Sequence, residues 1–368
     1  DIIRQILEEV GLTGDRYRFV LQKEYPPRDY CVQYRESDLN FICRHMEEEG
    51  IFYFFEHTDE GHVLVMADAA SAHVPIAEPP TVIFHEPIGA VPTEEYVYQY
   101  RYSEEVRPGA VMLRDFDFIK PSLTLQAEKQ AEQDTSLEIY DYPGEYIVPE
   151  RGTALAQVRL EAFQAPRKVG RGSSVCRRFL PGYRFTLRDH PRASFNQEYV
   201  LTRVSHTAAQ PQVLEEFSTG EGSTYANELS CIPASVSFRP PRVTPRPVVK
   251  GSQTAIVVGP KGEEIYTDDH GRVKVQFHWD REGKYDEKSS CWIRVSQGWA
   301  GAAWGIICLP RIGQEVIVDF LEGDPDCPLI TGRVYNGEHP PPYKLPDEKT
   351  KSTLKSNSSK GGKGFNEI

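Results

Sequence analysis

His270 and His278 stand eight residues apart on either side of an alternating apolar run, with Asp268 and Asp269 just before the first. Imidazole nitrogens and carboxylate oxygens are the usual ligands of zinc, which takes about three or four of them. No third ligand stands at a familiar spacing, so the pair reads as one histidine in a turn and one on a strand surface. Glu322, Asp324 and Asp326 occupy alternate positions, as the first ligands of a calcium loop do. The closing glutamate of that frame is missing, and Pro325 and Pro328 make a rigid inter-strand turn the better description. His45 lies shortly before Glu47, Glu48 and Glu49. These residue types could do acid–base work, but a solvated helix end accounts for them better. Neither G-x-S-x-G nor H-E-x-x-H occurs. Gly259, Gly262, Gly361, Gly362 and Gly364 fall outside any phosphate-loop frame. No catalytic, cofactor-binding or metal-ligating residue is therefore assigned.

The elements that carry these residues read mostly as strands. Val273, Val275, Phe277 and Trp279 alternate with Arg272, Lys274, Gln276 and His278. Period two places the first set on the buried face of an antiparallel strand and the second on its polar face. Asp268, Asp269, His270 and Gly271 supply the turn that leads into it. Further short strands are expected at 254–258, 291–295, 305–309, 315–320 and 329–335, the pattern of a small closed or nearly closed barrel. All four tryptophans, 279, 292, 299 and 304, fall in this region. They are expected to fill its core, because a small barrel is filled economically by large side chains.

Upstream, residues 1–235 read as a mixed region. Ile2, Ile3, Ile6, Leu7 and Val10 recur at helical spacing until Gly11. A second helix is expected over 38–49, with Ser37 as its N-cap and Leu39, Ile42, Cys43 and Met46 as its apolar stripe. Strands are expected at 51–56 and 62–66, joined by the turn Asp59-Glu60-Gly61. Others are expected at 95–102, 111–118, 184–187 and 198–204, with a helix over 151–165. The composition of 123–133 favours a helix and leaves an extended ladder open.

At 368 residues the chain has room for two or three domains. Its formal charge is −12, divided as −11 over 1–247, −4 over 248–340 and +3 over 341–368. That acidity argues against nucleic acid as a partner, since such binding rests on neutralising phosphates. The seven cysteines form no CxxC, which fits thiols kept reduced in a cytoplasm. No secretory signal opens the chain. The longest apolar run, 300–309, is half of the ~20 residues that a spanning helix requires. The stretch 232–250 holds five prolines and marks a semi-rigid boundary. The expected domains are an α+β region over 1–235, a linker over 236–250, a barrel over 251–340 and an extended segment over 341–368. The last stretch, KSNSSKGGKGFNEI, cannot bury enough apolar surface to fold alone. It is either a flexible tail or one strand set of an assembly of several chains.

Five strings carry a family resemblance. They are SDLNFICRHMEEEGIFYFFEH (37–57), YDYPGEY (140–146), GEEIYTDDHGRVKVQFHWD (262–280), the segment from Cys291 to Tyr343, and KTKSTLKSNSSKGGKGFNEI (349–368). Together, and in this order, they resemble VgrG proteins, the spike components of bacterial type VI secretion. The resemblance implies a mainly β fold with some α. A region like a contractile-phage hub would come first, then an OB-fold barrel, then the start of a trimeric β-helical needle. It also implies that the chain begins inside the first hub barrel and stops as the needle starts. The implied role is structural and non-enzymatic: a homotrimer that caps the Hcp tube, punctures a target membrane mechanically and carries effectors. The implied partners are further copies of itself, Hcp, a PAAR-type tip and baseplate components, with no cofactor. Such a protein would assemble in the bacterial cytoplasm and leave through the type VI apparatus. A phage tail hub or spike, and a ligand-binding OB module on a scaffold, are the alternatives.

Overall fold

Ile3, Ile6 and Leu7 make one face of helix α1 (Ile2–Glu9), which is followed by strand β1 (Tyr17–Val20). Helix α2 (Asp38–Glu49) ends at Gly50, whose φ of +72° suits glycine. The Ile51 amide donates to the Met46 carbonyl at 2.8 Å. A Cβ at Gly50 would stand 2.6 Å from Val158 Cγ1, so space as well as backbone handedness calls for glycine. The buried face of α2 is formed by Phe41, Ile42 and Met46 together with Arg44, His45 and Glu48. Leu39, expected in the stripe, is exposed, because the buried face is centred about one residue earlier than the apolar letters suggest, on Phe41, Ile42 and His45. Strands β2 (Phe52–Thr58) and β3 (Gly61–Ala67) form the expected hairpin, and β1 adds to β3 in parallel. Leu7, Ile42 and Met46 pack with Met66 in one cluster, while Phe52, Phe54 and Val65 belong to a second.

Strands β4 (Thr81–Phe84) and β5 (Tyr96–Glu104) precede a small sheet of β6 (Ala110–Asp115), β7 (Leu125–Gln130) and β8 (Glu138–Asp141). Residues 123–133 thus hold a strand, not a helix. Leu125 and Ala127 are buried between exposed Gln126 and Glu128, and period two prevails over composition. Helix α3 (Pro149–Gln164) covers this sheet with Leu155, Ala156 and Leu160. Strands β9 (Lys168–Ser174), β10 (Arg184–Arg188), β11 (Glu198–Ala209) and β12 (Thr224–Pro233) then complete a closed barrel in the order β10-β11-β12-β9-β5-β4. Its core is Phe179, Phe185, Leu187, Tyr199 and Leu201.

The structure is a computed structural model that describes residues 1–86, 92–210, 223–359 and 361–368. It divides into two compact units, one of Asp1–Tyr25 and Asp38–Pro245, the other of Pro26–Ser37 and Arg246–Ile368. In the first, buried Arg239 ties several elements together. Its Nη1 donates to the carbonyls of Gly50 (3.0 Å) and Asp68, and its Nε donates to Glu161 at 2.6 Å. The Asp68 carboxylate accepts in turn from the amides of Gln22 (2.8 Å) and Lys23 (3.0 Å) and from the Tyr25 hydroxyl.

The second unit contains β13 (Gln253–Val258), β14 (Lys274–Phe277), β15 (Arg294–Val295), β16 (Trp299–Ala300), β17 (Gly305–Ile306), β18 (Glu315–Phe320) and β19 (Pro328–Val334). The sheet order is β14-β13-β18-β19-β15. Its two outer strands meet through reciprocal backbone bonds between Val273 and Ile293, at 3.0 and 2.8 Å. The segment Pro26–Ser37 straps this barrel. The Val32 amide donates to Asp326 at 2.7 Å, and the Tyr34 hydroxyl accepts from Gln253.

The barrel core is Ala255, Val257, Val273, Val275, Phe277, Ile293, Val316, Val318 and Ile330. The tryptophans do not fill it. Trp279 is 38% exposed and Trp299 and Trp304 about 60%. A ring this small is filled by β-branched residues facing one another, so Trp279 caps it, stacked on Phe277 at 4.9 Å. Gln276, expected on the polar face, is buried. Its side chain is shut in by the loop that follows, where it accepts from the Tyr285 amide at 3.2 Å.

Removing one member of a buried, hydrogen-bonded ion pair costs about 3–5 kcal/mol. Arg239→Ala is therefore expected to lower the stability of the first unit by about 3 kcal/mol, read from its denaturant midpoint. Thr153→Ala, at an exposed helical position, is expected to shift that midpoint by less than about 0.5 kcal/mol.

Candidate functional site

The residues first weighed for chemistry are held by structural bonds. Asp268 accepts from the amides of His270 (3.1 Å) and Arg272 (2.9 Å) and pairs with the Arg272 guanidinium at 2.7 Å. Burial raises its pKa, but these donors outweigh burial and hold it below the ordinary value. Asp268 is thus the pivot of the turn before β14. His278 pairs instead with Thr254 Oγ1 at 3.0 Å on the neighbouring strand. Among the described residues no three of His, Cys, Asp and Glu are grouped to hold a metal ion.

Asp324 and Asp326 also serve the backbone. Asp324 accepts from the Asp326 amide at 2.9 Å and faces Arg246 at 3.3 Å, and Asp326 holds the strap through Val32. Glu322 sits in a tight turn at φ +54°. His45 is not at a solvated helix end. It is buried edge-on against Phe41 at 4.6 Å, with Glu48 3.9 Å away. Glu47 accepts from the amides of Val243 and Thr244, both at 2.9 Å, and Glu49 pairs with Arg151. Burial pushes the thiols of Cys176 and Cys231 up to about 12, which keeps both protonated and unreactive at neutral pH.

A pocket of about 340 Å³ lies beside Arg239, lined also by Lys23, Asp68 and Phe238. Burial, then the Arg239 charge, lowers the Lys23 ammonium pKa. Asp68 and Glu161 offset both cations, so the pocket offers no net charge for a ligand.

What remains is surface on the second unit. Strands β20 (Lys355–Asn357) and β21 (Phe365–Glu367) form an isolated antiparallel pair, extended by reciprocal bonds between Leu354 and Ile368 at 3.1 Å. Leu354, Phe365 and Ile368 are exposed on it, Ile368 at 95%. The Lys355 ammonium lies over the Phe365 ring at 4.3 Å. Arg311 donates to the Asn357 carbonyl at 2.7 Å, and the Gly361 amide donates to Glu264 at 2.7 Å, which anchors the pair to the barrel unit. The hairpin of β16 and β17 presents Trp299, Trp304, Ile306 and Ile307 to solvent. The strand expected over 305–309 is present only as Gly305–Ile306, and it pairs in this hairpin instead of in the barrel sheet. The signal was there in WAGAAWGIICLP, whose small and apolar residues show no alternation that a core strand could use.

The first unit thus holds a closed barrel and a helix-covered three-stranded sheet, and the second a small barrel and an isolated strand pair. The description of a phage tail baseplate hub (GPD) matches residues 1–212, and that of a type VI secretion system/phage-baseplate injector OB domain matches residues 254–335. The chain belongs to the phage tail baseplate hub family. Over its full length it is 46% identical to the type VI secretion system spike protein VgrG4b of Pseudomonas aeruginosa, covering 47% of that relative. It is also 46% identical to VgrG1a of the same organism, covering 58%. The actin cross-linking toxin VgrG1 of Vibrio cholerae is 39% identical, with 33% of its length covered. The chain thus spans about half the length of the curated relatives it matches first. Among solved structures, the E. coli c3393 protein superposes with a TM-score of 0.60 at 21% identity, over 90% of this chain and 71% of its own. That protein is described as a type VI component similar to the T4 tail proteins gp27 and gp5. A chain of a PdpA–VgrG complex superposes at 0.52 and 6% identity, over 98% of this chain and 68% of its own. The mainly β fold, with a hub-like barrel followed by an OB barrel, is therefore as the resemblance implied.

Because folding lowers the Asp268 pKa, its contribution is complete above the ordinary value of 3.8 and fades as the pH falls through the folded value. Asp268→Asn is expected to lower the urea midpoint of the barrel unit at pH 7. The gap from wild type should shrink steadily below pH 3.8. An equal gap at pH 7 and pH 2.5 would show that the carboxylate charge is not what holds the turn.

Proposed function

We propose that this chain is a structural part of a type VI secretion spike, acting as a homotrimer. The observation that carries the reading is the strand pair Lys355–Asn357 and Phe365–Glu367. It stands with two backbone edges and three apolar side chains exposed, downstream of a hub-family region and an OB barrel. Two-stranded sheets of this length are marginal in water, and open edges invite pairing. Three chains winding together would pair those edges and bury Leu354, Phe365 and Ile368.

On this reading the hub-like region caps the Hcp tube, and the barrel forms a collar at the root of a needle that a PAAR-type tip completes. Contraction drives the assembly through a target membrane together with carried effectors. Baseplate components hold it beforehand. By sequence the domains run over 1–235, 236–250, 251–340 and 341–368, the last being the needle start, with Pro26–Ser37 packed on the barrel unit. The segment has no catalytic step, and stiffness comes from strand pairing. Such a protein assembles in the bacterial cytoplasm and leaves through the apparatus itself. The family descriptions cover phage baseplates too, so a phage tail hub is the second reading; the full-length identity to type VI spike proteins favours the first.

Light scattering coupled to size exclusion is expected to give three times the chain mass of 41.8 kDa. A monomer, both for this chain and for one extended past Ile368, would overturn the trimeric reading.

A further inference from the structure

We propose that the hairpin Trp299–Ile306 is a clasp that packs against a second copy of this chain. The inference rests on the trimeric reading and names the surface that would hold the trimer at the barrel. Residues 296–310 contain no charged side chain, between Arg294 and Arg311. The hairpin ladder is only two residue pairs long, Trp299 with Ile306 and Ala300 with Gly305. Within the chain, its indoles meet edge-to-face at 5.1 Å and remain about 60% exposed. Ile307 beside them is 72% exposed. So short a ladder does not stabilise itself, and so much exposed apolar surface marks a contact.

The occupant follows from what the hairpin adjoins. At its root the Cys308 carbonyl accepts from Arg333, and the Cys308 amide donates to Gln297 at 2.9 Å. Three residues on, Arg311 bonds the Asn357 carbonyl of the tail pair. The hairpin therefore springs from beside the strands whose open edges call for neighbouring chains. A clasp there would meet the same neighbour. Its composition fits a protein partner as well. Interface cores are depleted of charge and rich in aromatics, and tryptophan is the commonest hot-spot residue. A loop that docks on an anionic lipid surface carries lysines or arginines among its apolar residues, and 296–310 has none.

The test compares the wild-type chain, Trp299→Ser/Trp304→Ser, and Tyr285→Ser, a control at an equally exposed aromatic. Light scattering over a dilution series reads the concentration of half-dissociation. The double variant is expected to dissociate at roughly ten-fold higher concentration or more, with its barrel melting unchanged, while the control matches wild type. A double variant as tightly assembled as wild type overturns the clasp and leaves the trimer standing. A wild-type monomer removes both. Should the double variant misfold, hydrogen exchange of 297–308 in wild type decides. Protection that rises with assembly supports the clasp, and exchange unchanged between assembled and dissociated chains overturns it. Flotation with vesicles of anionic phospholipid, if it requires both tryptophans while assembly does not, assigns the hairpin to lipid and overturns the proposal.

Discussion

A backbone amide removed from water must find a carbonyl, and a strand at the edge of a sheet offers a whole row of unmet ones. The architecture follows from how each sheet answers that demand. The first unit closes a barrel outright, with β4 pairing in parallel to both β10 and β5 so that the ring has no free side. The second unit comes to the same end by a narrower route. Its outer strands are joined by the backbone bridge between Val273 and Ile293, and the strap at Val32 secures the neighbouring Asp324–Asp326 turn. The strand pair at the C-terminal end of the chain has no internal solution, because two strands cannot close on themselves.

Closure also explains the distribution of large side chains. A ring of few strands leaves a bore that valines and isoleucines fill, with Phe277 buried among them and Phe320 packed against it. Indoles are then displaced to the ends and the outside. Trp279 shows the transition, with one face stacked on Phe277 and its Nε1 donating to Gln253 at 2.7 Å. The acidic residues have a related task. Asp68, Asp115, Asp268, Asp324 and Asp326 each accept from backbone amides in turns or strand ends. Much of the acidic chemistry is therefore used to satisfy the main chain where ladders stop.

Much of this was legible in the residues themselves. Val273, Val275 and Phe277 announce their strand because one face is buried and one is wet. The hairpin around Asp59 and Glu60, and the helix ending at Gly50, were equally plain. What stayed hidden depends on partners distant in sequence. Arg239 reads as one more cation in a proline-rich stretch, and only its contacts with Gly50, Asp68 and Glu161 reveal a fastening point. His45 looks solvated because glutamates surround it in sequence, whereas Phe41 and Glu48 enclose it in space. Nothing local in 26–37 says which unit it joins.

That strap sets a schedule for folding as well as a geometry. Val32 and Asp326 are 294 residues apart in sequence, among the longest separations that a hydrogen bond spans in this chain. At a synthesis rate of about 5–20 residues per second, the strap leaves the ribosome roughly 15–60 s before the acid it must reach. The barrel cannot gain its strap bond until Asp326 has emerged, long after Val32. Contacts of such high order are slow to form. Completion of the barrel thus becomes a natural checkpoint, reached only once Asp326 has been made.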